Sequence, residues 1–137
     1  MKEKRKMGPH KSHNLPLSPI LKKAIDIFTL SRHISDNLVH DLAPLHKNGS
    51  EDPNIYFTGD IVQQSNSLAP EILKAESKMF SEEKHKHVES LSQLTNVLYD
   101  NCERLENSNS KGKEFLPLLR IELKKFKKLQ RIWMLTL

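Results

Sequence analysis

Between Val88 and Leu105 the chain sets apolar or small side chains at Val88, Leu91, Thr95, Leu98, Cys102 and Leu105, in steps of 3, 4, 3, 4 and 3. That spacing keeps one stripe on one side of a helix, and it is the seam spacing of helices that pack along one another. Proline sets the limits of such a helix, because it disfavours helix in the residue before it and cannot sit comfortably inside one. The seven prolines stand at 9, 16, 19, 44, 53, 70 and 117, and none falls between 71 and 116. The pattern predicts one helix over about 70–106, opened by Pro70 and Glu71 and closed by Asn107-Ser-Asn-Ser-Lys-Gly112. Within it, Ser81-Glu-Glu-Lys-His-Lys-His87 holds no apolar residue, so the helix there is either solvated or hinged.

Two further helices follow from the same reading. Ser18 is a good N-cap with Pro19 at the first helical position, and Ile20, Ala24, Ile27, Ile34 and Leu38 recur at helical spacing, which predicts a helix over about 19–43. Leu119, Leu123, Phe126 and Trp133 share a stripe in a third, over about 114–136, flanked by Leu116, Leu129 and Ile132. Residues 44–69 read as a polar connector, although Ile55, Tyr56, Phe57, Ile61 and Val62 are apolar enough to dock or form a helical turn. Asn48-Gly49 marks a turn within it. Twenty Leu against four Val, beside 17 Lys and 11 Glu, supply helices well and sheets poorly, so the fold class is all-α.

Composition adds a constraint on closure. Hydrophobic residues make up 36% of the 137 residues, short of the roughly 45–50% of ordinary globular domains, while Leu, Ile, Val and Phe at 38 residues exceed the level at which disorder is the default. At 1.5 Å per residue the middle helix would be about 55 Å long and its neighbours about 35 Å. The expectation is an elongated three-helix, coiled-coil-like bundle over 18–137, preceded by a disordered basic tail over 1–17. Its seams would be lined but not sealed.

Charge is unevenly spread. Residues 1–23 sum to +6, residues 115–137 to +5, and the stretch between them to −6. Basic ends flanking an acidic body favour contacts within an assembly or separate anionic docking surfaces. Lys2, Lys4, Arg5, Lys6 and Lys11 resemble a short nuclear-import run. The basic start is followed by Gly8, Pro9, His10 and Lys11 in place of an apolar stretch, which argues against a signal peptide, and no window of the sequence suits a membrane span. With Cys102 as the single cysteine, the expected setting is intracellular, cytoplasm or nucleus.

Chemistry-bearing patterns are sparse. His85 and His87 point about 200° apart on a helix, and Glu83 with His87 gives only two ligands, so the metal expectation is none. Cys102 occupies the apolar seam and reads as a small hydrophobe. Four glycines leave no phosphate-binding loop and no nucleophile elbow. No catalytic residue and no cofactor is expected. What remains is surface: a basic face of Lys124, Lys125, Lys127, Lys128 and Arg131 on the third helix, and Ser18-Pro19 as a possible phosphosite at a helix N-terminus.

These readings point to a non-catalytic helical subunit or adaptor of a multi-protein assembly, of spindle, kinetochore or organelle-tethering type. It would bind helical protein partners in a hetero-complex through Val88, Leu91, Leu98, Leu105, Leu119, Leu123, Phe126 and Trp133, with the lysine face setting partner choice. The alternative is a nuclear nucleic-acid-associated factor that binds through its two basic ends.

Overall fold

The structure, a computed structural model, describes residues 17–108 and 111–137. The expected disordered tail and its import-like lysines fall outside the described residues, apart from Leu17. Five α-helical segments are present: α1 (Pro19–Leu42), α2 (Ile55–Asn66), α3 (Leu68–Ser77), α4 (Ser81–Glu106) and α5 (Leu116–Met134), the last preceded by a 3-10 turn over Lys111–Phe115. Among the described residues there is no strand. The all-helical class holds; the three-helix architecture gives way to four rods.

Two departures from the sequence expectation produce the fourth rod. First, the connector is itself helical. Ser67 between α2 and α3 keeps helical angles, and its backbone N–H bonds to the Gln63 and Gln64 carbonyls, so α2 and α3 run on as one rod with a single-residue break. Pro70 explains that break, since it has no N–H to offer the Asn66 carbonyl. Second, the helix expected over 70–106 reverses direction at Lys78-Met79-Phe80, where Lys78 (ψ 146°) and Phe80 (ψ 139°) are extended. Neither glycine nor proline marks this elbow. Its local causes are weaker: Ser77 Oγ donates to the Lys74 carbonyl, offering the backbone an alternative to continued helix, and Glu82 and Glu83 favour a new positive helix N-terminus.

The four rods are of similar length and close on one another. α1 has 24 residues, α4 has 26, α2 and α3 have 12 and 10, and α5 has 19 plus the 3-10 turn, so each spans about 35–39 Å. α1 lies between α2–α3 and α5, α4 lies between the same two rods on the far side, and neighbours run antiparallel in an up-down-up-down order. The direction of each pair is fixed by side-chain ties. Ser35 Oγ donates to the Thr58 carbonyl (2.8 Å), Asn101 to Gln64 (3.0 Å), His87 Nδ1 meets Glu71 (2.8 Å), Gln130 donates to Ser92 (2.6 Å), and Lys23 pairs with Glu122 (2.7 Å). In the loop after α1, Gly49 has φ +85°, a conformation other residues adopt at a cost, and its N–H closes a turn onto the His46 carbonyl.

One continuous apolar cluster runs through all four rods, from Ile27, Ile34 and Leu38 of α1 through Ile61, Leu68 and Ile72 to α4 and α5. Val88, Leu91, Leu98, Leu105, Leu119, Leu123, Phe126 and Trp133, expected to face a partner, fill this intrachain core instead. Six of them are fully buried, and Val88 and Trp133 retain 6% exposure. The expected shortage of apolar material is met by small hydroxyl residues that bury without cost. Ser65 Oγ returns its proton to the Ile61 carbonyl and Thr95 Oγ1 to the Leu91 carbonyl, each within its own helix, so neither leaves a polar group unpaired.

Leu98→Ala is therefore expected to cost about 2–5 kcal/mol in urea unfolding, and Leu98→Asp to abolish the cooperative transition altogether. Ser31 Oγ and Ser108 Oγ are counter-examples, buried with no hydrogen-bond partner among the described residues. Ser31→Ala should leave stability unchanged or raise it by about 1 kcal/mol; a clear loss would show that the hydroxyl is satisfied.

Candidate functional site

The inner stripe of α5 is spent on the core, which turns its outer face to solvent. Leu118, Ile121, Ile132 and Leu135 are exposed there, at 52%, 48%, 63% and 88%. Together with Lys125 and Lys128 they step through 118, 121, 125, 128, 132 and 135 in intervals of 3, 4, 3, 4 and 3, the same seam spacing that α4 buries internally. This outward seam was not read from the sequence, which assigned Ile132 to the flank of the core stripe. The signal was present as a second apolar stripe offset from Leu119, Leu123 and Phe126.

The basic face lies along this seam, and its five cations are not equivalent. Lys125 Nζ pairs with Glu122 (3.0 Å), and the half-buried Lys127 lies 4.9 Å above the Tyr99 ring centroid. Lys124, Lys128 and Arg131 are exposed and carry no ion pair among the described residues. Arg120 is withdrawn from the face: its guanidinium forms a two-point pair with Glu106 and reaches Tyr99, contacts that raise its already high pKa and tie α4 to α5. Glu122 receives Lys23 and Lys125, and the hydrogen bond from Lys23 is the main cause that holds its carboxyl below the usual carboxylate range.

The end of the bundle that holds the α3–α4 elbow is also apolar. Met79 is 88% exposed and Phe80 67%, and Leu17, Met134 and Leu135 are exposed at the same end. Ser18 sits there as the N-cap of α1, accepting from the Leu21 N–H (3.3 Å), and it shares a cleft of about 210 Å³ with Glu76, Leu129, Ile132 and Trp133. Trp133 Nε1 donates to Glu76 at 3.0 Å, which joins α5 to α3 across this end. The capping role of Ser18 accounts for its position. Three other clefts hold about 190, 200 and 280 Å³, so all four are smaller than the roughly 300–1,000 Å³ of small-molecule pockets.

The remaining chemistry-bearing residues have structural partners. His87 bridges to Glu71, and His85 lies 3.9 Å from Glu89, so the two histidines serve different contacts. Among the described residues no three His, Cys, Asp or Glu side chains are grouped to hold a metal ion, and no helix is long and apolar enough to cross a membrane. Cys102 is fully buried, and burial, with Glu106 adding to it, pushes the thiol up to about 12. No protein-family model, curated protein or solved structure matches the chain.

Two outcomes follow. Burial and the raised pKa leave native Cys102 little thiolate at pH 8, so its reaction with a disulfide reagent should be slow in the folded chain and rise to that of a free cysteine when the chain is unfolded in urea. For Glu122 the folded pKa lies below the unfolded one, so its stabilising contribution is present above the ordinary carboxylate value and lost as pH falls through the folded pKa. Glu122→Gln should cost no more than about 1 kcal/mol at pH 7, and in urea titrations the difference from the parent should shrink as the pH is taken down through the acidic range.

Proposed function

We propose that this chain is a non-catalytic helical subunit or adaptor of a multi-protein assembly, and that it engages a helical partner on the outside of a finished bundle. The observation that carries this reading is the outward face of α5, where exposed Ile and Leu share a second seam with Lys128 and lie near Lys124 and Arg131, three cations with no ion pair among the described residues. Exposed apolar side chains grouped on one helix face and interspersed with charge are a usual sign of a protein contact. The partner-packing role moves from the eight residues of the core to Leu118, Ile121, Ile132 and Leu135.

A second reading, nucleic-acid association through the basic segments, draws on the alignment of Lys124, Lys128 and Arg131 along one face. It predicts affinity for DNA or RNA that falls steeply between about 50 and 200 mM salt.

The deciding experiment compares Ile121→Asp/Ile132→Asp with the parent. Both positions are exposed, so the melting temperature should hold, while the native chain elutes from cell extract in a large species and the variant elutes near its own 15.9 kDa. A native chain that elutes alone in the same extract would remove the adaptor reading. A salt-dependent mobility shift with DNA or RNA, abolished by reversing Lys124, Lys128 and Arg131, would put the second reading in its place.

A further inference from the structure

Resting on the adaptor reading, the order of residues along the outer seam of α5 specifies what lies on it. The seam reads Leu118, Ile121, Lys125, Lys128, Ile132, Leu135: two apolar positions, two lysines, two apolar positions, over about 26 Å. Lys124 and Arg131 flank it on one side. On the α4 edge, Thr95, Asn96, Lys127, Arg131 and Met134 border a cleft of about 190 Å³, room for a single side chain rather than a ligand. We propose that this face binds an amphipathic helix of another protein whose own seam is apolar at both ends and acidic in the middle, with its carboxylates set against Lys124, Lys128 and Arg131.

The same residue order excludes the other occupants. A second copy of this chain would pair the seam with itself, and in either orientation the central lysines would meet lysines, a like-charge contact with no gain. An anionic bilayer would favour contiguous apolar side chains. Here the apolar pairs are separated by Lys125 and Lys128, and the adjoining edge of α4 presents Glu89, 65% exposed, and the exposed Glu103. Those carboxylates oppose a flat anionic surface, which would cover them together with the lysines, whereas a single helix along the α5 seam covers the lysines without covering α4. Glu122 is the one acid inside the basic face, and it is already held by Lys23 and Lys125.

The test places the photo-crosslinking residue p-benzoylphenylalanine at Ile121, at Lys128 and at Ile132 of the full chain in the cells that express it, with Gln63 on the opposite rod as control. Mass spectrometry then identifies each adduct. The expected result is one protein segment of helical pattern, joined to Ile121 and Ile132 through its apolar ends, with two or more Asp or Glu between them. Reversing Lys124, Lys128 and Arg131 together to Glu should reduce these adducts at least about tenfold, a loss of one decade in affinity being modest for charges facing like charges. The melting temperature should not move. Adducts to lipid, to nucleic acid, to a second copy or to an uncharged segment would overturn the inference, as would no adduct or equal labelling from Gln63. Sizing the triple variant in extract separates the two levels. If the native chain is in a large species and the variant remains there, the adaptor reading stands and this assignment of the α5 face falls. If the native chain runs alone, the adaptor reading itself has failed.

Discussion

Closure of this bundle depends on the reversal at Lys78-Met79-Phe80. Were α3 and α4 one continuous helix, the α4 stripe from Val88 to Leu105 would extend beyond any rod available to cover it, and its leucines would face water. Turning the chain there leaves α4 as a rod that matches α1 and α5 and returns the short α3 to α2, with which it makes up the fourth rod, so four apolar stripes converge on a common axis. The elbow leaves Met79 and Phe80 exposed, but it allows seven residues of the α4 and α5 stripes, Cys102 among them, to become fully buried.

Much of this was legible in the chain itself. Ser18-Pro19 fixed the start of α1, and the helix begins at Pro19 because the serine hydroxyl takes up the free Leu21 N–H. The stripes of α4 and α5 were found by spacing, since burial of one face leaves a period of 3.6 that propensity alone would not. Two features escaped. α2 presents Thr58 and Ser65 among its buried positions, so it carries a weak apolar signal and reads as connector. The elbow has no glycine or proline, and its cause is tertiary: the two rods gain more by lying side by side than by continuing. What followed from those misses was the assignment of core residues to a partner, because a long unbroken helix appeared to leave its seam uncovered.

The interior of the bundle shows how a chain of modest hydrophobicity closes. Ser65 and Thr95 donate to carbonyls one turn back in their own helix and Ser35 to the Thr58 carbonyl of the neighbouring rod, so these small polar side chains serve as spacers that let helices approach. Charged residues lie at the edges of the interfaces. Arg120 with Glu106, Lys23 with Glu122 and His87 with Glu71 each join different helices and remain partly exposed, where their contribution is to alignment more than to stability.

Each of these cross-links has a partner at one height only. Sliding a helix along its neighbour by one turn, about 5.4 Å, would separate Gln130 from Ser92, Asn101 from Gln64 and Trp133 from Glu76 at once, so intermediate positions are penalised. A body held in this way behaves as a stiff strut. The exposed Met79–Phe80 end and the exposed Tyr56 and Leu45 at the other are thereby set a fixed distance apart, roughly one rod length of about 36 Å.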